Sequence, residues 1–476
     1  MTIADYFLTP DAKRILLLEI QRTDASATCY RISDEPYITD PADTPPSCAY
    51  SPIIGGGGLP EFRRVINDVF DGGASTGFGS VTLASTSAAY TTSGAQGSGV
   101  MTLPRGTAIT VKVAAPRALW PYSDAITLAV GKVNRVGGSS DGDLSVEIID
   151  GSANIAAQQI AVVAATAPLC FGYCRNITPF LTDPATLKYT VHDSAVNDIT
   201  AVYDDGVLLT LGTDYTKTNG SGYFNLVASP AGVITADVQG AKVSGTWLQT
   251  TQAIVGHLLD RAGITAYTRN YVSLPTGTIG LYLTATDTLG NLLNRIMQGC
   301  AGYWYLDRAG ALTFAQYPLP ASGGAVYDEK SLLDRVAVDE SDRLYKTVQY
   351  QYRTNWTTQS QVRPAATAGQ AAFAASAGLL GNTTQSPVAE YVYTDSPLLV
   401  TLFDSGADAA TAAGRMQTLY GVPRKIITSV VPYSDTLALG DQVSLSWFGS
   451  SYSGAVVGLV DVFDGAYPKQ KITVVA

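Results

Sequence analysis

The chain has 476 residues, of which 46% are hydrophobic and 15% charged, and its 30 Lys and Arg against 40 Asp and Glu give a net charge of −10. That length accommodates about three domains, and low charge with 46 Gly and 27 Tyr excludes a helical bundle in favour of sheets joined by turns. The acidic balance opposes direct binding of nucleic-acid phosphates, although an acidic wall would let DNA slide past it.

The opening stretch MTIADYFLTPDAKRILLLEIQ does not read as a signal peptide, because the apolar run Ile15 to Leu18 is short and charges follow at once. No stretch approaches the ~20 apolar residues of a membrane-spanning helix. Residues 1–165 read as one β-rich domain, with strands expected at Arg14 to Gln21, Phe78 to Ser85, Leu103 to Pro116, Val146 to Ile149 and Ile155 to Val163. Strict alternation, clearest at Ile109, Val111 and Val113, places one face inward and one outward, as in an antiparallel sandwich or barrel. Gly55 to Gly58 with Leu59-Pro60 reads as a loop.

Residues 166–245 form the second unit. Pro168 to Pro184, with three prolines, reads as a connector that is unable to run as a strand interior. Consecutive hairpins follow, turned at Asp204-Asp205-Gly206, Gly212-Thr213-Asp214, Asn219 to Gly222 and Pro230-Ala231-Gly232. Residues 246–330 read as an α+β module. Trp247, Leu248, Ile254, Val255, Leu258 and Leu259 share one helix face, stopped by Gly263. Leu289, Leu292, Leu293, Ile296 and Met297 share another, with Asp287 or Thr286 as the expected cap and Gly299 or Gly302 at the end; the hairpin Tyr303 to Phe314 comes next.

Residues 331–476 return to β, with strands expected at Arg343 to Arg353 and three more between Leu437 and Val475. A helix capped by Ser405 and stopped by Gly421 lies between them, and a polar, Ala-rich excursion over residues 355–386 reads as an exposed loop or arm. The fold class is therefore mainly β with a smaller α+β module.

Candidate chemistry is sparse. The carboxylate pairs Asp204-Asp205, Asp328-Glu329, Asp339-Glu340 and Asp141 with Asp143 invite a glycosidase reading, but neighbours on a strand face opposite sides, and Asp204-Asp205-Gly206 is better read as a turn. Cys170 and Cys174 make a C-x3-C pair with no second pair to complete a zinc or iron–sulfur set, so they read as buried or idle thiols. His192 and His257 are the only histidines, and neither sits in ligand spacing; no Walker loop, GxSxG elbow or HExxH occurs. DGDLSVEIIDG, Asp141 to Gly151, is read as turn and strand ahead of a calcium loop. Tyr303-Trp304-Tyr305, Tyr345, Tyr350 and Tyr352 are read as packing ahead of sugar stacking. No catalytic, metal or cofactor residue is assigned.

The phrase VYDDGVLLTLGTDYT, closed by AGVITADVQG and a helix, and the arrangement of an L-x-x-L-L-x-x-I helix before GYWYLDRAGALTF, resemble the tail-tip or baseplate hub proteins of long-tailed bacteriophages. The resemblance runs from about Leu59 to Val475 in element order, and departs from it at the Ala-rich excursion and at Cys174. It implies a non-enzymatic virion protein, made in the host cytoplasm, that closes the tail tube. It further implies barrel-like domains in a ring of three copies imitating a six-fold tube. The implied partners are the tail tube or distal tail protein, the tape measure protein and a central spike or fibres, with DNA in transit and the host envelope contacted indirectly. Alternatives are a distal-tail or receptor- and carbohydrate-binding tail protein, and a β-rich cell-wall or polysaccharide-degrading enzyme.

Overall fold

A computed structural model describes residues 3–7, 12–21, 29–55, 61–84, 103–116, 120–138, 143–162, 167–341, 343–463 and 468–476. Most of the Gly55 to Gly58 loop, Leu59-Pro60, Asp141, Val163 and Asp342 lie outside the described residues.

The first sheet runs in the order Tyr37–Ile38, Ala49–Pro52, Cys29–Ser33, Ile15–Gln21, Ala108–Ala114, Ile126–Gly138, Leu144–Ile149, Ser80–Leu83. Its last strand returns to the continuation of the second. Ile54 bridges Leu83, Gly55 N–H donates to the Thr82 carbonyl at 2.9 Å, and Ala84 N–H to that of Ile53 at 2.7 Å. The sheet thereby closes into a barrel and leaves no free edge there. Alternation fills it: Leu16, Leu18, Ile20, Ile109, Val111 and Val113 point inward. Ile15 and Leu17 pack outward beneath Tyr37, Tyr50 and Tyr122, which explains an apolar run in a strand covered on both faces.

The C-terminal sheet runs Ala325–Tyr327, Gln442–Trp447, Ser450–Val462, Lys469–Val475, Lys425–Pro432, Ala337–Glu340. A hairpin from the first 165 residues, Phe62–Ile66 with Ala74–Gly77, pairs with Ser450–Val462 in the register Val460↔Arg63. A division of the chain at 165 thus cuts through a sheet. Arg64, on that hairpin, reaches Asp461 at 3.2 Å and the Leu128 carbonyl of the barrel at 3.2 Å. Phe62 packs edge-on against Phe78 and Phe463 inside the barrel core, so the hairpin ties barrel and sheet together.

Between them, Val196–Asp204, Ile234–Val243, Leu169–Ile177 and Gly280–Leu283 form one layer, and Phe180–Asp183, Lys188–Thr190, Tyr223–Leu226 and Tyr215–Lys217 another. Ile199, Val202, Phe224 and Val238 share the core between the layers. The expected hairpins are present: Asp205 and Gly206 both take positive φ, 48° and 79°, as a two-residue turn requires. The proline-rich connector is corrected. Pro168, Pro179 and Pro184 stand outside the strands Leu169–Ile177 and Phe180–Asp183 rather than within them, so no ladder hydrogen bond is lost.

Helices Thr251–Arg261 and Leu289–Gly299 lie on a three-stranded sheet of Arg269–Val272, Leu312–Gln316 and Gly302–Leu306. Their caps are Thr250, accepting from Ala253 N–H, and Thr288, accepting from Asn291 N–H; the second is one residue beyond Asp287, whose carboxylate accepts from the amide of Asn291 instead. Ser405 caps Gly406–Tyr420 as expected, and this helix packs on Tyr345–Tyr352 and Leu379–Thr384.

Two further expectations differ. Of the strand expected at Ile155 to Val163, the described residues, which end at Val162, form something else: a short helix, Ser152–Ala156, buries Ile155, and among them only Gln159–Ile160 is a strand. Nor is 355–386 a free arm. It holds the helix Ala368–Ala375 and the strand Leu379–Thr384, paired with Tyr345–Tyr352. The Asn355 amide donates to the carbonyls of Phe373, Ala374 and Ser376 at 2.9, 3.1 and 2.7 Å, drawing the excursion together, and its Oδ1 accepts from the Asn176 amide at 2.8 Å, which fixes it to the body. Arg175 anchors the neighbouring segment: it donates to Asp404 at 2.9 and 3.0 Å and to Asp237 at 3.2 Å, stacked 3.6 Å from the Tyr173 ring.

Candidate functional site

The residues that carried candidate chemistry are spread over the molecule. Asp204 is buried and fully engaged: its carboxylate accepts from Ala231 and Gly232 N–H at 2.9 and 2.8 Å and from Arg363 at 2.9 Å. It therefore fastens two turns and the excursion, while Asp205 occupies the turn itself. Asp328 caps its own turn by accepting from the N–H groups of Lys330 and Ser331, and Glu329 accepts from Phe448 N–H at 2.5 Å. Asp339 and Glu340 lie exposed on the edge strand Ala337–Glu340. Asp143 is exposed at the start of Leu144–Ile149. Among the described residues, none of these carboxylates is drawn together with one of another pair across a cleft.

CFGYC is a strand, and its spacing reflects a crossing rather than a ligand loop. Gly172 has φ +67°, and a Cβ there would sit 1.7 Å from the Ile279 carbonyl oxygen, whose partner is Tyr173 N–H at 2.9 Å. Cys170 and Cys174 flank this kink on one buried face. The Cys170 thiol donates to the Val191 carbonyl at 3.1 Å and Cys174 to that of Leu281 at 3.3 Å. Burial pushes the Cys170 thiol well above its usual pKa, which keeps it protonated. Among the described residues no group of three or more His, Cys, Asp or Glu is placed to hold a metal ion.

His192 is buried, and its Nδ1 accepts the Cys170 N–H at 3.0 Å, so the proton of the neutral ring sits on Nε2, 3.5 Å from Asp193. Loss of hydration lowers its pKa to about 4. Phe171 separates it from His257 on the helix Thr251–Arg261, and Arg261 pairs with Asp193. The histidines therefore serve the seam between that helix and the double-layered unit. A cavity of about 660 Å³ opens beside them, lined by Lys188, His192, Asp193, Ser194 and Tyr223.

A second cavity, about 570 Å³, lies on the outer face of the three-stranded sheet and is lined by Asn270, Thr313, Tyr303, Tyr305, Arg415 and Asp441. Only 2% of Tyr303 and 5% of Tyr305 is exposed, so neither ring offers a platform to a sugar. Trp304 faces the other way and stacks on Phe314. Tyr345 and Tyr350 are likewise buried in the main core.

What the molecule does expose is sheet edge and apolar side chains. The C-terminal sheet ends on one side in Ala325–Tyr327, where Val326 is 69% exposed, and on the other in Ala337–Glu340, exposed at all four residues. Phe448, 79% exposed, tips the hairpin that borders the first of these edges. Leu208, Leu211, Val227 and Val233 are exposed at the turns of the double-layered unit. No sequence periodicity singles these out; they sit at turns and sheet edges.

No family model matches the chain, and a comparison with curated proteins finds no match. Among solved structures it is similar to the 43 kDa tail protein of prophage MuSo2 from Shewanella oneidensis, with 10% identity over 97% of each chain and a TM-score of 0.43. It is similar to the tail protein from Neisseria meningitidis MC58, at 9% identity over 97% of this chain and 96% of that one, TM-score 0.46. A prophage tail protein from Listeria monocytogenes EGD-e gives 9% identity, 97% and 94% coverage, and a TM-score of 0.44.

Proposed function

We propose that the chain is a structural subunit of a phage tail tip or baseplate, acting as the hub that closes the tail tube. In this reading three copies form a ring in the virion, assembled beforehand in the host cytoplasm. The ring binds the tail tube or distal tail protein and the tape measure protein on one side and a central spike or fibres on the other. It surrounds the path by which DNA leaves, and meets the host envelope only through those partners. The division into four units at about 165, 245 and 330 belongs to the same reading, with the hairpin Phe62–Ile66 and Ala74–Gly77 exchanged into the last of them.

The observation that carries the proposal is the contrast between the two β units. The N-terminal barrel closes its last strand onto Ile54, whereas the end strands of the C-terminal sheet, Ala325–Tyr327 and Ala337–Glu340, have no further strand partner among the described residues and lie near exposed Val326 and Phe448. Open edges with apolar neighbours are what an assembling subunit offers to other chains. The phrases around Asp204 to Thr216 and Gly302 to Phe314 support the same class. An absence of turnover is part of the proposal, supported by the commitment of Asp204 to turn hydrogen bonds and of both cysteines of CFGYC to the core.

Imaging of tail tips from particles carrying this protein tests the reading. Three copies closing a channel are expected. Six copies would assign the distal-ring role, a peripheral position would assign receptor binding, and release of reducing sugar or muropeptides from host envelope by the purified chain would assign an enzyme.

A further inference from the structure

Two of the cysteines that appear scattered in the sequence are brought side by side by the barrel. Cys29–Ser33 pairs in parallel with Ala49–Pro52 in the register Ile32↔Ser51 and Ser33↔Pro52, an offset that places Cys48 next to Cys29 when continued three residues back. Both positions are held in line from their other sides. Cys29 opposes Gln21 of the first strand, while Cys48 exchanges hydrogen bonds with Thr39, donating its N–H to Oγ1 at 2.7 Å and accepting the Thr39 N–H at 3.0 Å.

The side chains share a face. Cys29 lies two residues before Arg31, which opposes Glu19, and Cys48 lies two residues before Tyr50, whose hydroxyl donates to Glu19 at 2.5 Å. Steps of two keep a strand's side chains on one side, here the outer face of the barrel. Each thiol lies within electrostatic reach of the other, and Arg31 within reach of both. The shared offset brings the two cysteines beside each other just beyond the paired residues of two adjacent strands, whose spacing of ~4.8 Å lies inside the ~4.4–6.8 Å Cα separation that a disulfide spans. Both thiols are free and half-buried, which leaves an oxidant access, whereas Cys170, Cys174 and Cys300 are buried in other clusters.

We propose that Cys29 and Cys48 are a redox pair that closes into an intramolecular disulfide and locks the seam of the N-terminal barrel. The seam matters because, among the described residues, the strand Cys29–Ser33 joins the segment through which the barrel closes by a short ladder, Ile32↔Ser51 and Ser33↔Pro52, with Ile54 N–H donating to the Ser33 carbonyl at 3.0 Å. With a small disulfide such as oxidised glutathione as oxidant, one cysteine thiolate attacks a glutathione sulfur, breaking that S–S bond and releasing one glutathione thiolate. The second cysteine thiolate then attacks the mixed disulfide, forming the Cys29–Cys48 bond and releasing the other glutathione thiolate. One S–S bond is exchanged for another, and the two cysteine protons end on the two reduced glutathiones. Arg31 favours the thiolate of Cys29 against the burial that disfavours it.

The test oxidises the reduced, full-length protein with oxidised glutathione at about pH 8, where thiolate begins to form. Titration after denaturation is expected to show two fewer thiols, and peptide mapping to join Cys29 to Cys48 within one chain. Dithiothreitol should restore both. Amide exchange across Cys29–Ser33 and Ala49–Pro52 should slow by about tenfold in the oxidised form, the size of a modest local stabilisation. Cys29→Ser and Cys48→Ser should each abolish the loss of thiols. The mapping of the unaltered protein stands whether or not those variants fold. Full retention of the thiols in folded protein, a glutathione adduct that persists on one cysteine, or a bond mapped to any other pair or between chains would overturn the proposal.

Discussion

Removing the carboxylate of Asp461 should loosen the junction between the barrel and the C-terminal sheet more than any other single polar change. Its side chain is wholly buried; Arg64 lies 3.2 Å away with 3% of its side chain exposed, Arg308 lies 3.6 Å away, and the Gln470 amide donates to it at 2.9 Å. At an effective dielectric near 20, each of those charge separations is worth roughly 5 kcal/mol before desolvation is subtracted. Asp461→Ala deletes the anion and leaves Arg64 buried without a counter-charge, a situation that costs about 3–5 kcal/mol. Arg308 retains Tyr433 Oη at 2.9 Å and the Ser434 carbonyl at 3.1 Å, so most of the loss falls on Arg64. Hydrogen exchange reads it directly: amides of Phe62–Ile66 and of the Asp461 end of Ser450–Val462 should open more readily by that amount, while Val196–Asp204 keeps its protection. The double change Arg64→Met with Asp461→Leu should recover most of the loss, since a buried pair replaced by apolar groups is often neutral or better. A loss below about 1 kcal/mol, or a double variant no better than the single, would refute the claim that this network holds the junction.

Asn355→Ala should release the helix Ala368–Ala375, since three carbonyls lose their donor at a cost of about 1–3 kcal/mol; amide exchange at Asn355, Gln359 and Ser376 reports it. His192 carries a pH dependence of definite sign. Its folded pKa of about 4 lies below its ordinary 6.5, so the stabilisation is complete above pH 6.5 and is lost as pH falls toward 4. The amount is on the order of 3 kcal/mol, read as exchange of Leu169–Ile177 across that window and flattened by His192→Gln. Gly172→Ala should destabilise the same strand by more than about 1 kcal/mol, because φ +67° and the Ile279 carbonyl both oppose a Cβ; thermal unfolding measures it. Val326→Lys should weaken self-association on sizing columns without lowering the unfolding temperature, as Val326 is exposed in the single chain.

Local features were legible in the sequence, and long-range ones were not. The Asp205-Gly206 turn, the alternation at Ile109 to Val113 and the Ser405 cap each depend on a few adjacent residues, and all three are found. Prolines were misread because their effect depends on where a strand begins: Pro168 and Pro179 stand one and two residues outside Leu169–Ile177. The Ala-rich excursion reads as a free arm because its polar composition conceals that its own first residue, Asn355, satisfies the carbonyls of Phe373, Ala374 and Ser376. Arg64 and Asp461 lie 397 residues apart, and the segments that carry Cys29 and Cys48 are neighbours only through the parallel register Ile32↔Ser51, so neither juxtaposition has a signature in the order of residues.

The open edges of the C-terminal sheet differ in a way that gives any assembly a direction. Ala337–Glu340 carries Asp339 and Glu340 on a four-residue strand, and charge on a short edge is how proteins discourage indiscriminate pairing. Ala325–Tyr327 has no charge within it; Val326 is exposed and Phe448 stands at the tip of the adjoining hairpin, its N–H held by Glu329. Covering the uncharged edge removes apolar surface from water, whereas covering the acidic edge requires a partner that supplies cations or leaves those carboxylates at a rim. Two unlike edges make a heterologous contact, which gives a ring where the rotation between copies closes and a filament where it does not. That asymmetry, rather than any catalytic constellation, is the chemistry the proposed ring would use.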